Sequence, residues 1–152
     1  MSTRSRGGPG AGEASAVRPP TAAEEIRRFE SDAVSPGAFR HADHVRMAWN
    51  YLMEMPLNQA LPRYAGGLLR LATRAGRPDR YHETITWAFM FVIRERMLTG
   101  AAGDFDAFRA RNPDLFEWPG GALADYYSPE RLESEAARQA FLMPDRVNRR
   151  TG

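Results

Sequence analysis

Residues 85–93 read ITWAFMFVI, an apolar run in which Thr86 is the one polar residue. The β-branched and aromatic content of this run would also suit a strand. A helix is the better interpretation, because the run contains no turn signal and continues without a break into RERML at positions 94–98. A helix that is apolar nearly all round is buried on all sides. We therefore predict a central helix over residues 82–98, around which the rest of the chain packs.

The segments on both sides of this run also have helical periodicity. Apolar residues recur at helical spacing on one face in residues 43–55 and 57–75, and TAAE at 21–24 has the form of a capping box. Short helices are expected after Asp104, with the aspartate as cap, and from Ser128 to about Leu142. No alternating strand pattern is visible. The predicted fold class is all-α, a compact bundle of about four main helices with short C-terminal helices.

The two ends of the chain differ in composition from the middle. Residues 1–20 are rich in Gly, Pro, Ser and Ala and contain one large aliphatic residue, Val17. Such a segment cannot bury enough apolar surface to offset the entropy of ordering. We predict a disordered N-terminal tail over residues 1–20, a single helical domain over 21–145 and a frayed C-terminal tail over 146–152.

Composition excludes several classes of function. The chain has 21 Lys and Arg against 19 Asp and Glu, a balance that does not favour nucleic-acid binding. It has no cysteine, so any metal must be held by nitrogen and oxygen. The longest apolar run is far shorter than the roughly 18 residues of a membrane helix, and no secretory signal is visible. The expected compartment is the cytoplasm, with no membrane partner.

All three histidines lie in two short motifs, FRHADHVRMAW at 39–49 and YHET at 81–84. His41 and His44 are three positions apart, which places them on one face of a helix. His82 lies at the start of the predicted central helix. If that start meets the His41/His44 turn, three ring nitrogens converge, and three ligands with an open position describe a catalytic metal site. The expected cofactor is a divalent transition metal: Zn, or Fe or Mn if a carboxylate also participates.

Two carboxylates adjoin the histidines and are the candidate catalytic residues, Glu83 and Asp43. Asp43 is either a first-turn acid that stabilises the helix start or a group that takes part in the chemistry. Glu83 opens a helix that is otherwise apolar, so it is a candidate ligand, general base or acceptor that orients an imidazole.

Side chains around both motifs are candidates for contacts with a substrate. Each also has a purely structural interpretation: a solvated arginine, aromatic packing in the core, or a hydroxyl at a helix start. These candidate substrate-binding residues are Arg46, Trp49, Tyr81, Thr84 and Trp87.

The motifs resemble those of a group of small, uncharacterised bacterial proteins. The shared pattern is FxHxxHVxxAWxYL at 39–52 and YHETxT at 81–86, followed by NPDL at 112–115 and YYS at 126–128. The resemblance covers about residues 25–145. It implies a single compact all-helical domain and transfers no activity.

Three functional hypotheses follow from these residues. The first is a small metal-dependent enzyme, of open reaction type, that acts on a small molecule through the three-histidine site. The second is a non-catalytic protein that binds a small molecule in a polar histidine pocket without a metal. The third is a scaffold whose methionines at 47, 53 and 55 form a contact face. The distances among the three histidines distinguish the hypotheses, and the sequence does not indicate an oligomeric state.

Overall fold

The computed structural model describes residues 17–146 of the chain. Over this range it contains seven α-helices and four short 3-10 helices, and no strand, which confirms the all-α fold class. The predicted tails fall largely on residues 1–16 and 147–152, which lie outside the described residues. The α-helices are α1 (Ala22–Glu30), α2 (His41–Glu54), α3 (Leu57–Arg74), α4 (Glu83–Thr99), α5 (Phe105–Arg111), α6 (Pro129–Glu133) and α7 (Glu135–Gln139). The 3-10 helices are Pro36–Ala38, Pro78–Arg80, Pro113–Phe116 and Gly121–Asp125.

Side-chain caps define several helix starts. The Thr21 hydroxyl accepts from the backbone N–H of Glu24, while the Glu24 carboxylate accepts from the backbone N–H of Thr21, so the predicted capping box is confirmed. Asp104 and Ser128 cap α5 and α6 in the same way. Each cap satisfies a backbone donor that the helix itself leaves free.

Helix α4 is the centre of the structure. It packs against α2, α3, α7 and the 3-10 helix Gly121–Asp125. Its buried residues are distributed around its circumference, as the sequence predicts: Thr84, Thr86, Ala88, Phe89, Met90, Val92 and Ile93. The helix begins one residue later than predicted, because His82 is its N-cap.

The predicted helix from Ser128 to about Leu142 is instead two short helices and an extended segment. The Ser134 hydroxyl accepts from the backbone N–H of Ala137 and donates to a carbonyl of α6, so Ser134 ends one helix and caps the next. Beyond α7, the Thr84 hydroxyl donates to the Ala140 carbonyl and accepts from the Leu142 N–H. Pairing with α4 therefore holds this segment extended.

An aromatic cluster joins the first three helices. The ring of Phe29 stacks on Phe39 with 5.6 Å between centroids and also contacts Tyr51 and Tyr64. This ring lies directly over Gly67 of α3, where an added Cβ would stand 2.1 Å from Phe29 Cε1. Gly67 therefore permits a close approach between α1 and α3 that no larger residue allows.

None of the helices within residues 17–146 is long and apolar enough to cross a membrane.

We expect Gly67→Ala to destabilise the protein by about 1–3 kcal/mol, because the buried Phe29 ring has no space into which to move. Gly66→Ala is the matched control. Its added Cβ would meet Arg70 Nη1 at an ordinary 3.7 Å, so the substitution is expected to stabilise α3 by about 0.5–1 kcal/mol through backbone entropy. Urea unfolding of both variants measures the difference. Equal effects at the two positions would contradict the close approach.

Candidate functional site

A cavity of about 380 Å³ lies where the starts of α2 and α4 meet the side of α3. All three histidines and Tyr81 line it, so the structure brings the two sequence motifs together. The walls are otherwise mainly apolar and aromatic. The remaining lining residues are Pro36, Phe39, Val45, Tyr64, Leu68, Leu71, Ala72, Ala75, Arg80, Ile85, Thr86, Phe89, Ile93 and Trp118.

The ring of His82 is held at both nitrogens. Its Nδ1 accepts from the backbone N–H of Ile85 at 3.1 Å, which caps α4. Its Nε2 lies 2.7 Å from the carbonyl oxygen of Leu132, and because a carbonyl only accepts, Nε2 carries the proton. Neither ring nitrogen is free to bind a metal while these bonds persist.

His41, the first residue of α2, is held at one nitrogen. Its Nε2 donates to the carbonyl of Leu115 at 2.8 Å, and the ring packs between Trp118 and Phe89, with centroid distances of 5.7 and 5.4 Å. Nδ1 makes no hydrogen bond to any residue of the described range. In the neutral ring this nitrogen is an acceptor.

His44 is the histidine whose ring is not fixed by hydrogen bonds within residues 17–146. It packs against Phe39 at 4.7 Å. Burial, with a smaller contribution from His41, lowers the pKa of His44 to about 4. Within the described residues, Trp87 Nε1 is the one side-chain polar atom that is both fully buried and without a hydrogen-bond partner. The His44 nitrogens also have no partner there, so they are not fully buried and keep some accessible surface. Because His44 lines the cavity, at neutral pH its uncharged ring offers the cavity one donor and one acceptor.

The three histidines share a cavity without forming a set of metal ligands. Among residues 17–146, no group of three or more His, Asp or Glu side chains is arranged to hold a metal ion. The Nε2 protons of His41 and His82 are bound instead by the backbone carbonyls of Leu115 and Leu132.

The two predicted catalytic carboxylates lie beside the cavity, not on its walls. Asp43 accepts from the backbone N–H of Arg40 at 2.9 Å, which is the helix-start role, and it faces a second cavity of about 270 Å³. Glu83 accepts from the Tyr81 hydroxyl at 2.8 Å. Glu83 thus orients a residue that lines the histidine cavity.

Arg46 and Trp49 lie away from the histidine cavity, on the side of α2 that faces α1 and α5. Arg46 forms an ion pair with Glu25 at 2.9 Å and lies over the ring of Phe105 at 5.0 Å. Trp49 packs edge-on against the same ring at 5.5 Å. Both side chains stabilise helix packing.

Thr84 and Trp87 are also separate from the cavity, because they lie on the other side of α4 from its lining residues. Thr84 binds the extended C-terminal segment, and Trp87 stacks on Phe141 of that segment at 5.4 Å. These two candidates hold the C-terminal segment on the central helix.

The sequence did not identify Arg80, Tyr64 or Trp118 as cavity residues. Arg80 directly precedes the YHET motif, so its position was a usable signal. Tyr64 belongs to a regular apolar stripe, and its hydroxyl donates to the His44 carbonyl at 3.0 Å. Trp118 comes from an irregular segment, and no periodicity predicts where its ring lies.

Comparisons with protein-family models, with curated proteins and with solved structures found no match to this chain.

The depressed pKa of His44 predicts a specific loss of stability in acid. Above about pH 6.5 the ring is neutral in both the folded and unfolded states, but below it only the unfolded state takes up the proton. Between about pH 7 and pH 5 this difference should cost the folded protein about 2 kcal/mol.

The measurement is urea unfolding of the wild type and of His44→Gln at both pH values. Other groups titrate equally in both proteins, so the wild type should lose about 2 kcal/mol more than the variant. The same loss in both proteins would show that His44 titrates normally.

Proposed function

We propose that this protein binds a small, mainly apolar molecule in the histidine cavity, with the imidazoles as polar contacts to the ligand. The observation that carries the proposal is the free ring of His44 in a cavity of about 380 Å³ with apolar walls. Small-molecule sites are typically about 300–1,000 Å³ and combine apolar walls with a few polar groups that fix the ligand's orientation.

His41 and His82 support this proposal because hydrogen bonds hold their rings in place before a ligand binds. His41 and His82 are each tied to a backbone carbonyl, at 2.8 and 2.7 Å, and His41 is also packed between two aromatic rings. Groups held in this way lose little freedom when a ligand binds, so the binding free energy is not spent on ordering them. Among the three imidazoles, the ring of His44 and Nδ1 of His41 remain available to a ligand, since neither forms a hydrogen bond within residues 17–146.

Blocking the cavity tests the proposal. Ala75 lines the cavity at the exposed end of α3, and Ala75→Trp would place an indole ring in it. Leu69→Trp is the matched control, because Leu69 is exposed on the same helix and does not line the cavity. Both variants are compared with the wild type by ¹H–¹⁵N NMR titration with indole and with phenylacetamide.

We expect both probes to shift the amide signals of His41, His44 and Trp118 in the wild type and in Leu69→Trp. In Ala75→Trp these shifts should be lost, because the added ring occupies the ligand volume. No shift at these residues in the wild type, or equal shifts in all three proteins, would contradict binding in the cavity.

A metal-dependent enzyme is the second candidate, and one observation favours it: His41, His44 and His82 line the same cavity. For all three to act as ligands, His82 would have to release the Leu132 carbonyl or the Ile85 amide. Glu83, held by Tyr81, would then be the adjacent carboxylate.

This candidate predicts bound transition metal in tag-free protein and a rise in Tm on addition of Zn²⁺, Fe²⁺ or Mn²⁺. Substitution of both His41 and His44 by Ala should abolish both effects, because too few ligands would remain. Metal-free protein with an unchanged Tm would exclude this candidate.

A further inference from the structure

Among the described residues, Arg80 is the one Asp, Glu, Lys or Arg side chain that lines the histidine cavity. Arg80 belongs to the 3-10 helix Pro78–Arg80 and is exposed, so it marks a place where the cavity meets solvent. Within residues 17–146 it forms no ion pair, whereas Arg77 in the preceding turn pairs with Asp79 at 3.1 Å.

The nearby carboxylates are committed to other partners. Asp79 binds Arg77, Glu83 accepts from the Tyr81 hydroxyl, and Asp43 accepts from the Arg40 amide. Glu83 and Asp43 keep their negative charge, because their donors are neutral, but within residues 17–146 no carboxylate lines the cavity or forms an ion pair with Arg80.

The imidazoles complement a ligand with one polar end. His82 has no free nitrogen, and the neutral His44 ring supplies an N–H donor. Other lining residues, such as Leu68, Leu71 and Ile93, offer only apolar contact. No carboxylate of the described residues lines the cavity to pair with a cation, and a strongly polar molecule would lose its hydration against the apolar walls.

We propose that the ligand of this cavity is a small apolar molecule that bears one carboxylate, with Arg80 as its ion-pair partner and His44 as a hydrogen-bond donor. This inference rests on the proposed binding function, since it names the chemical class of the ligand. A guanidinium matches a carboxylate in charge and geometry and can donate two parallel hydrogen bonds to it.

Isothermal titration calorimetry of the full chain at neutral pH and low salt tests the inference with three probes of one shape: phenylacetate, phenylacetamide and 2-phenylethylamine. We expect phenylacetate to bind about 10-fold tighter than the amide, and the amine to bind weakest. In Arg80→Gln, the affinity for phenylacetate should fall to that for the amide, while the affinity for the amide changes less than about 2-fold.

Arg27→Gln is the matched control, because it removes the same charge from an exposed position on α1 that does not line the cavity. This variant should retain the wild-type preference for the acid. An equal fall in both variants would overturn the role of Arg80, since it would indicate a general effect of net charge.

Two further outcomes separate this inference from the function on which it rests. If the amide binds the wild type as tightly as the acid, or the amine binds tightest, the carboxylate assignment is overturned and the binding function stands. If none of the three probes binds the wild type, both proposals fail.

Discussion

The structure depends on the burial of α4. Between Ile85 and Ile93 this helix has apolar side chains on nearly every side, and other parts of the chain cover most of them, while Phe91 stays exposed. Helices α2 and α3 cover two faces, and α7 and the 3-10 helix Gly121–Asp125 cover others. The C-terminal segments that cover α4 are short helices and irregular stretches that follow its surface, and they do not form a further long helix.

The polar residues at the buried start of α4 need hydrogen-bond partners, and the C-terminal segments supply them. His82 and Thr84 both bind backbone groups that arrive from positions more than 45 residues later in the chain. A buried polar group without a partner would cost about 1–3 kcal/mol, so these bonds are a condition for covering α4 here. Two residues that look like site chemistry in the sequence therefore serve the fold.

The cavity is the space left unfilled where the starts of α2 and α4 meet the side of α3. The aromatic cluster around Phe29 sets the separation of α1, α2 and α3, and Gly67 allows the closest approach within it. Phe39 links this cluster to His44 at the cavity wall. The same packing that encloses the cavity also buries much of the His44 ring and lowers its pKa, so the fold sets the electrostatics of the site.

Much of the fold could be predicted because its signals are local. Helix periodicity, the capping box at Thr21 and the apolar run at 85–93 depend on neighbours within one or two helical turns. The meeting of the His41/His44 turn with His82 was only a condition of the site hypothesis, because a buried helix start must face other helices but the sequence does not say which. The break at Ser134 was harder to predict. A serine can lie inside a continuous helix or cap a new one, and the local sequence does not say which of the two occurs.

The chemical state of the site was decided by the tertiary structure. The Nε2 partners of His41 and His82 are backbone carbonyls 74 and 50 positions away, and since every residue has a carbonyl, no side-chain pattern identifies them. For the same reason, the sequence could not tell that Trp118 lines the cavity while Trp49 and Trp87 pack elsewhere. By itself the sequence determined the helices and showed that the three histidines lie in two short motifs, because both follow from short-range spacing. Which nitrogens are free, and which charges face them, depends on contacts between distant segments, and these exist only in the folded chain.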